Sequence, residues 1–332
     1  MQVITRTDAD AALLELDGEW RALWDDDPHA SIFHTPEYAR VSWETELGAD
    51  RSFASIEVRD DGVLVGLAVM GIDPDGTLRF LGNSNVTDYL GPLSLPDTRD
   101  AVAEAFIEGI GALEGWTSAA FECLACDSGW PEALSRAAKA TNLVVSEARQ
   151  DVCPRVAIGG SFDDYLTSLT GKLRHEIKRK ARRLERDGGP FVIRSTTRAT
   201  LEPDLETFFE MHLASDGHKG KFMHEGMKAF FRRLTDAFET RGWLRLVWLE
   251  IEGAPWAAIM SFSERGVYNV YNSAFDHTKR ELGPGMVLVG ETIRLAAEEG
   301  CHTYDLLRGD EPYKYRFGAV DEPIVQLTFR RG

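Results

Sequence analysis

Arg280-Glu-Leu-Gly283-Pro-Gly285-Met286 stands between a stretch of two-residue period, Val267 to Phe275, and a stretch of helical period, Met286 to Glu299. Strand, glycine-bearing turn and helix in that order leave unpaired backbone N–H groups and the positive end of a helix dipole at the turn. Gly283 and Gly285 carry no Cβ there, so a phosphate can approach the backbone, and Arg280 adds a cation. The stretch fits a diphosphate cradle and also fits a plain Gly-Pro-Gly loop. Pro284 takes one N–H out of it.

Working outward, Trp243 to Ile251, Glu252-Gly253 and Pro255 to Phe262 read as strand, tight turn and strand. After the helix come a strand at Thr303 to Leu307, a short helical piece near Glu311 to Arg316 and a strand at Ile324 to Arg330. The first half has the same order. Helices near Ala11 to Leu23 and Thr35 to Leu47 precede strands at Ser52 to Val58, Val63 to Ile72 and Thr77 to Leu81. A helix (Arg99 to Leu113), a strand (Thr117 to Leu124), a helix (Pro131 to Ala140) and a strand (Leu143 to Glu147) complete it. Two copies of one α/β unit with a mixed sheet (α+β in its hairpins) are therefore expected, as lobes 1–157 and 158–332. The 332 residues are twice the usual ~150 per domain. No Ser- or Pro-rich linker separates the lobes, so they are expected to pack together.

The composition, 43% hydrophobic and 27% charged, is that of a folded globular protein. A net charge of −17 argues against a surface built as a whole to hold nucleic acid or anionic lipid. No apolar run approaches the ~18 residues of a membrane span, and Met1 to Ala11 does not read as a signal peptide, so a cytoplasmic protein is expected. Cys123, Cys126, Cys153 and Cys301 are too few for a disulfide framework. Cys123-Leu-Ala-Cys126 has the spacing of a zinc or redox pair, but no second pair follows. Thiols at a strand end, with no metal, are the favoured reading. Walker loops, H-E-x-x-H and G-x-S-x-G are absent.

Between Tyr165 and Arg186, within a helix expected over 163–187, Leu166, Leu169, Leu173, Ile177 and Leu184 fall in one stripe of about 80°. Arg174, His175, Lys178, Arg179, Arg182, Arg183 and Arg186 spread over the opposite arc. Eight Lys or Arg against two Glu between Lys172 and Arg186 reverse the sign of the whole chain. A solvated face, a site for an anionic substrate or tRNA-like end, and a membrane-surface helix all fit. Asp305 interrupts an apolar strand and must be paired or functional. His212, His218 and Lys219 lie in a polar stretch that reads as a cleft lid, and Asn269, Tyr271 and Asn272 put polar groups on the strand ahead of the glycine loop.

The order of elements and the loop resemble the GNAT acyltransferase superfamily, whose acyl-CoA signature R/Q-x-x-G-x-G/A Arg280, Gly283 and Gly285 match literally. The run from Gly283-Pro-Gly-Met-Val-Leu through Gly300-Cys-His-Thr-Tyr-Asp305 to Tyr313-Lys314-Tyr-Arg-Phe317-Gly318 is similar to the CelD-like branch and to the Fem-type aminoacyltransferases. The resemblance implies two GNAT-like lobes, with acyl-CoA (acetyl-CoA first) as co-substrate held by Arg280, Leu282, Gly283, Gly285 and Met286. It implies catalytic duty for Lys314, Asp305 and Tyr313, with Tyr315 an alternative acid to Tyr313. Substrate contacts are implied for Arg174 and Lys178 and for Asp88-Tyr89 in the first lobe, and the reading of the residues themselves adds His212, Tyr271 and Asn272. That lobe has no R-x-x-G-x-G and reads as having lost donor binding. N-acyl transfer to an amine of a small molecule or cell-envelope precursor is the leading reading. A Fem-like use of aminoacyl-tRNA, and a non-catalytic binding protein, are the alternatives.

Overall fold

Asp61-Gly62 and Glu252-Gly253 both take left-handed backbone, with φ of 46° and 84° in the first pair and 52° and 75° in the second. Two consecutive positive φ values make the turn whose twist matches its flanking strands, so each pair closes a tight hairpin. The computed structural model describes residues 1–214 and 222–331. Its chain divides into two units, Met1–Val152 with Glu322–Gly332, and Cys153–Asp321.

The first unit runs β1 (Gln2–Arg6), α1 (Asp17–Asp26), α2 (Pro36–Trp43), β2 (Ser52–Asp60), β3 (Val63–Ile72), β4 (Thr77–Phe80) and β5 (Leu93–Ser94). Then come α3 (Arg99–Ala112), β6 (Ser118–Ala125), α4 (Trp130–Lys139) and β7 (Leu143–Ala157), which carries the chain into the second unit. β1 to β4 pair antiparallel in sequence order. β4 then pairs parallel with β6, through Thr77–Ser118 and Leu78–Ala119. Phe80, Phe106, Phe121 and Phe329 form its aromatic centre, with ring centroids 4.5 Å apart for Phe80–Phe121 and 5.3 Å for Phe121–Phe329.

The second unit contains α5 (Phe162–Ser168), α6 (Gly171–Gly188), β8 (Phe191–Ser195), α7 (Leu201–Leu213), α8 (Glu225–Thr240), β9 (Leu244–Ile251), β10 (Ala254–Glu264) and β11 (Val267–Phe275). α9 (Pro284–Glu298), β12 (Thr303–Asp305) and β13 (Val320–Arg331) follow. β8 to β11 pair antiparallel in order, and β11 pairs parallel with β12, which repeats the arrangement of the first unit. The chain is thus a mixed α/β fold built twice. Its final strands are exchanged: β7, which follows β6, pairs with β12, whereas β13, which follows β12, pairs with β6.

The structure corrects the sequence reading of several elements. The helix expected over 163–187 is two helices, α5 and α6. Leu169 is extended (φ −74°, ψ 151°) and the Thr170 side chain caps α6 by accepting from Leu173 N–H. β7 continues ten residues past Glu147, to Ala157. β12 stops at Asp305 instead of reaching Leu307, because Leu307 takes a left-handed φ of 53°. β1 and β8, too short and irregular in pattern to be read, are the outer strands, β1 pairing with β2 and β8 with β9. No helix among the described residues is long and apolar enough to cross a membrane.

Candidate functional site

β11 and β12 run side by side only from Val267–Thr303 to Asn269–Asp305. β12 then ends while β11 continues to Phe275, so the later half of β11 has no strand on that flank among the described residues. A β-bulge sits at the divergence: Met260 and Ser261 of β10 face Asn272 and Val270, which leaves Tyr271 as the extra residue. Bulges re-aim backbone groups and side chains, and they gather beside active sites. Tyr271 packs against Phe231 (5.7 Å) and Phe262 (4.8 Å), and the Asn272 carboxamide oxygen accepts from Ser273 N–H (2.8 Å). Asn269 is buried and its Nδ2 donates to the Phe262 carbonyl (3.2 Å).

Beyond β11 the chain makes a short 3-10 turn, His277–Leu282, opened by Asp276, whose Oδ1 accepts from Thr278 N–H (2.9 Å). Gly283 follows in the left-handed region (φ 65°, ψ 47°), which favours glycine, and α9 starts with Pro284 at its first position. Few of this loop's donors remain open. Gly283 N–H donates to the Arg280 carbonyl (3.0 Å), Met286 N–H to the Gly283 carbonyl (3.1 Å), and Pro284 has none. Gly285 N–H has no partner among the described residues, and a Cβ built on Gly285 would meet nothing within 4 Å. Leu282 and Met286 turn their side chains to the core of the second unit, so their share of a ligand site is backbone. Arg280 is exposed, with no side-chain partner among the described residues.

α6 lies against α9 where Gly290 lets it close in: the Cβ position of Gly290 is 3.6 Å from Ile177 Cγ2. This contact carries Lys180, one turn further along, to the glycine loop, with its Nζ 3.8 Å from the Cβ position of Gly283. Sequence reasoning passed over Lys180 in favour of Arg174 and Lys178. The signal was present, because at 100° per residue Lys180 falls about 60° from Ile177, within the apolar stripe instead of on the opposite arc with the other basic residues. Arg174 is half-buried and Lys178 exposed; neither side chain makes a hydrogen bond among the described residues.

Past β12 a second structured loop faces the same divergence. Asp305 is buried, and its Oδ2 accepts from Arg155 Nε (2.8 Å) while its Oδ1 accepts from Leu307 N–H (2.7 Å). Lys314 is also buried, at 2% exposure, and its ammonium donates to the carbonyls of Leu307 (2.8 Å), Arg308 (2.7 Å) and Gly309 (3.0 Å). All three of its protons are engaged, so its cation holds the 307–309 loop shut. Tyr313 is half-buried, and burial raises its pKa well above the ordinary tyrosine value. The Tyr315 hydroxyl instead donates to Asp321 Oδ1 (2.7 Å), and that carboxylate pushes its pKa up to about 12.

His212 belongs to the last turn of α7 rather than to a loop, at 2% exposure and with its ring 4.8 Å from that of Phe208. His218 and Lys219 lie outside the described residues. Asp88 and Tyr89 belong to the first unit, where Tyr89 is buried with its ring 6.5 Å from Phe33. The four cysteines are free thiols, with Cys123 at the end region of β6 and Cys126 in the turn that follows.

Residues 171–315 match the family described as the acetyltransferase (GNAT) domain. That segment is a GNAT domain. It contains the 280–285 loop, α9, Asp305 and Lys314. Solved structures are similar in fold to the whole chain. The crystal structure of FemX is 13% identical, covers 98% of this chain and 97% of its own, and has a TM-score of 0.68. L-PGS from Bacillus licheniformis is 14% identical over 90% of this chain and 92% of its own, with a TM-score of 0.56. A tandem GNAT protein from the clavulanic acid biosynthesis pathway is 11% identical over 100% and 98%, with a TM-score of 0.53. No curated protein matches the chain in sequence. The chain therefore has the tandem GNAT fold, with the GNAT domain in its second half.

Proposed function

We propose that the GNAT domain transfers an acyl group from acyl-CoA, acetyl-CoA in the first place, to an amine of a small molecule or cell-envelope precursor. The carrying observation is the glycine loop at the head of α9, set beside the divergence of β11 from β12. Among the described residues the Gly285 N–H and the Arg280 cation have no partner, and Gly283 and Gly285 leave the approach open. Acyl-CoA, when bound, supplies the activated carbonyl.

The residues divide the remaining work. Leu282 and Met286 anchor the loop through their side chains. Asp305 and Lys314 act as positioning residues that fix the 307–309 carbonyls, in place of the direct contact the family resemblance implies for Lys314. Tyr313 is the general acid: burial keeps its hydroxyl protonated at neutral pH, so a proton is available for the leaving thiolate. The amine would lose its own proton to solvent or a base. Arg174, Lys178, His212, Tyr271 and Asn272 are assigned to the acceptor; Asp88 and Tyr89 belong to the N-terminal lobe, 1–157. We read that lobe as having no donor site.

Heat denaturation with and without acetyl-CoA tests the proposal, since a ligand at a hundred times its Kd adds ~2.7 kcal/mol. A shift abolished by Gly283→Trp supports it; no shift with any acyl-CoA refutes it. The exposed basic face of α6 favours a second reading, an aminoacyl-tRNA donor of Fem type. On that reading binding falls steeply with salt. Ligand binding without turnover in any assay would favour a non-catalytic protein.

A further inference from the structure

We infer that Lys180 of α6 is a donor-binding residue that meets the diphosphate of the acyl donor at the 280–285 loop. The inference rests on the acyl-CoA reading above and adds a ligand from an element outside the glycine loop.

The loop is short of positive charge for such a guest. Pro284 lacks an N–H, Gly283 and Met286 spend theirs inside the turn, and the Gly285 N–H has no partner among the described residues, so side chains must match the rest of a diphosphate's charge. Lys180 Nζ already stands 3.8 Å from the Cβ position of Gly283 and has no hydrogen bond or ion pair among the described residues. Its setting works against a lone cation. Burial lowers its pKa, and Arg316, Arg179 and Arg183 push the same way. Glu176 opposes them, but its carboxylate lies 3.4 Å from the Arg316 guanidinium. Arg183 has Asp187 at 3.6 Å, whereas Lys180 has no such partner. A partly desolvated ammonium among arginines gains more from an anion than a surface lysine does. The Ile177–Gly290 contact fixes α6 on α9 and keeps Lys180 in place without help from a ligand.

Calorimetric titration of the whole protein with acetyl-CoA, 3′-dephospho-acetyl-CoA and acetyl-pantetheine tests this. For Lys180→Gln both diphosphate compounds should bind about 10- to 100-fold more weakly, while acetyl-pantetheine, which has no diphosphate, keeps its affinity. Lys180→Arg should recover most of the loss. The melting temperature of unliganded Lys180→Gln should hold or rise, because a desolvated cation is gone. Arg182→Gln, an exposed change on the same helix, should bind like wild type. If Lys180→Gln binds acetyl-CoA as wild type does, this inference falls and the acyl-CoA reading stands. A loss seen only with the 3′-phosphorylated compound assigns Lys180 to that phosphate and overturns the diphosphate assignment. If wild type binds no diphosphate compound, both readings fall.

Discussion

The two units build the same corner with opposite results. In each, a strand runs parallel to its neighbour for two or three residues and parts from it, and a helix begins nearby: β4, β6 and α3 in the first, β11, β12 and α9 in the second. In the first unit residues 81–94 occupy the parting. Leu90 N–H donates to the Cys123 carbonyl (3.0 Å), Leu81, Val86 and Tyr89 are buried, and β5 pairs back onto β3. The start of α3 is occupied as well. Arg99 lies buried there, 5.4 Å from the Trp130 ring and 3.7 Å from Asp27, whose carboxylate also accepts from Ser94 N–H (3.2 Å). The first unit thus meets that cation with its own anion. In the second unit the helix opens on glycines, and its nearby cations, Arg280 and Lys180, make no side-chain hydrogen bond or ion pair among the described residues. One corner is filled by the chain itself and the other is the one we propose for the donor, and the difference lies in the loops that follow β4 and β11.

The largest effect expected from breaking this contrast is at Gly285. A Cβ there meets nothing within 4 Å, so Gly285→Leu should fold normally, yet its side chain would fill the approach to the loop. Acyl-CoA-dependent turnover should fall by at least about 100-fold with an unchanged melting temperature. Next is Phe329→Ala, which removes a fully buried ring of the exchanged strand β13 from the core of the first unit. It should cost about 3–5 kcal/mol in denaturant unfolding. Amides of β2, β3 and β6 should lose hydrogen-exchange protection before those of β9 to β11. Lys314→Met comes third. It leaves the carbonyls of Leu307, Arg308 and Gly309 without their donor, so stability should drop by about 2–4 kcal/mol and turnover with it.

The smallest effect is alkaline. Tyr165, Tyr268, Tyr304 and Tyr313 of the second unit have pKa values raised by burial, as does Tyr38 of the first. A tyrosine kept neutral when folded contributes stability that is complete below its unfolded pKa of about 10 and is lost as pH rises above it. Exchange protection in the second unit should therefore weaken first above about pH 10; equal weakening in both would contradict the difference.

What the sequence made legible was local. The two tight hairpins announce themselves in Asp61-Gly62 and Glu252-Gly253, and the strand, glycine loop and helix around Gly283 can be read without knowing where the chain goes next. The interruption at Thr170 hid because Leu166, Leu169 and Leu173 keep a helical spacing across it, although Leu169 itself is extended. Pairings between distant residues were out of reach. Nothing near Asp305 names Arg155, 150 residues earlier, as its partner, and no local pattern states that β13 returns to β6. Lys180 was obscured by company, as one of eight basic residues whose charges look alike until a packing contact singles one out. Lys314 was found by resemblance, but its three carbonyl partners, which make it a brace for its loop, are set by the backbone turn at Leu307.

The count of donor molecules bound per chain tests the contrast between the units most directly. Calorimetry of the wild-type protein with acetyl-CoA should give one site per chain, and Gly285→Leu should give none. Two sites, or a site that survives Gly285→Leu, would mean that the first unit also takes the donor and that the closed corner is not closed.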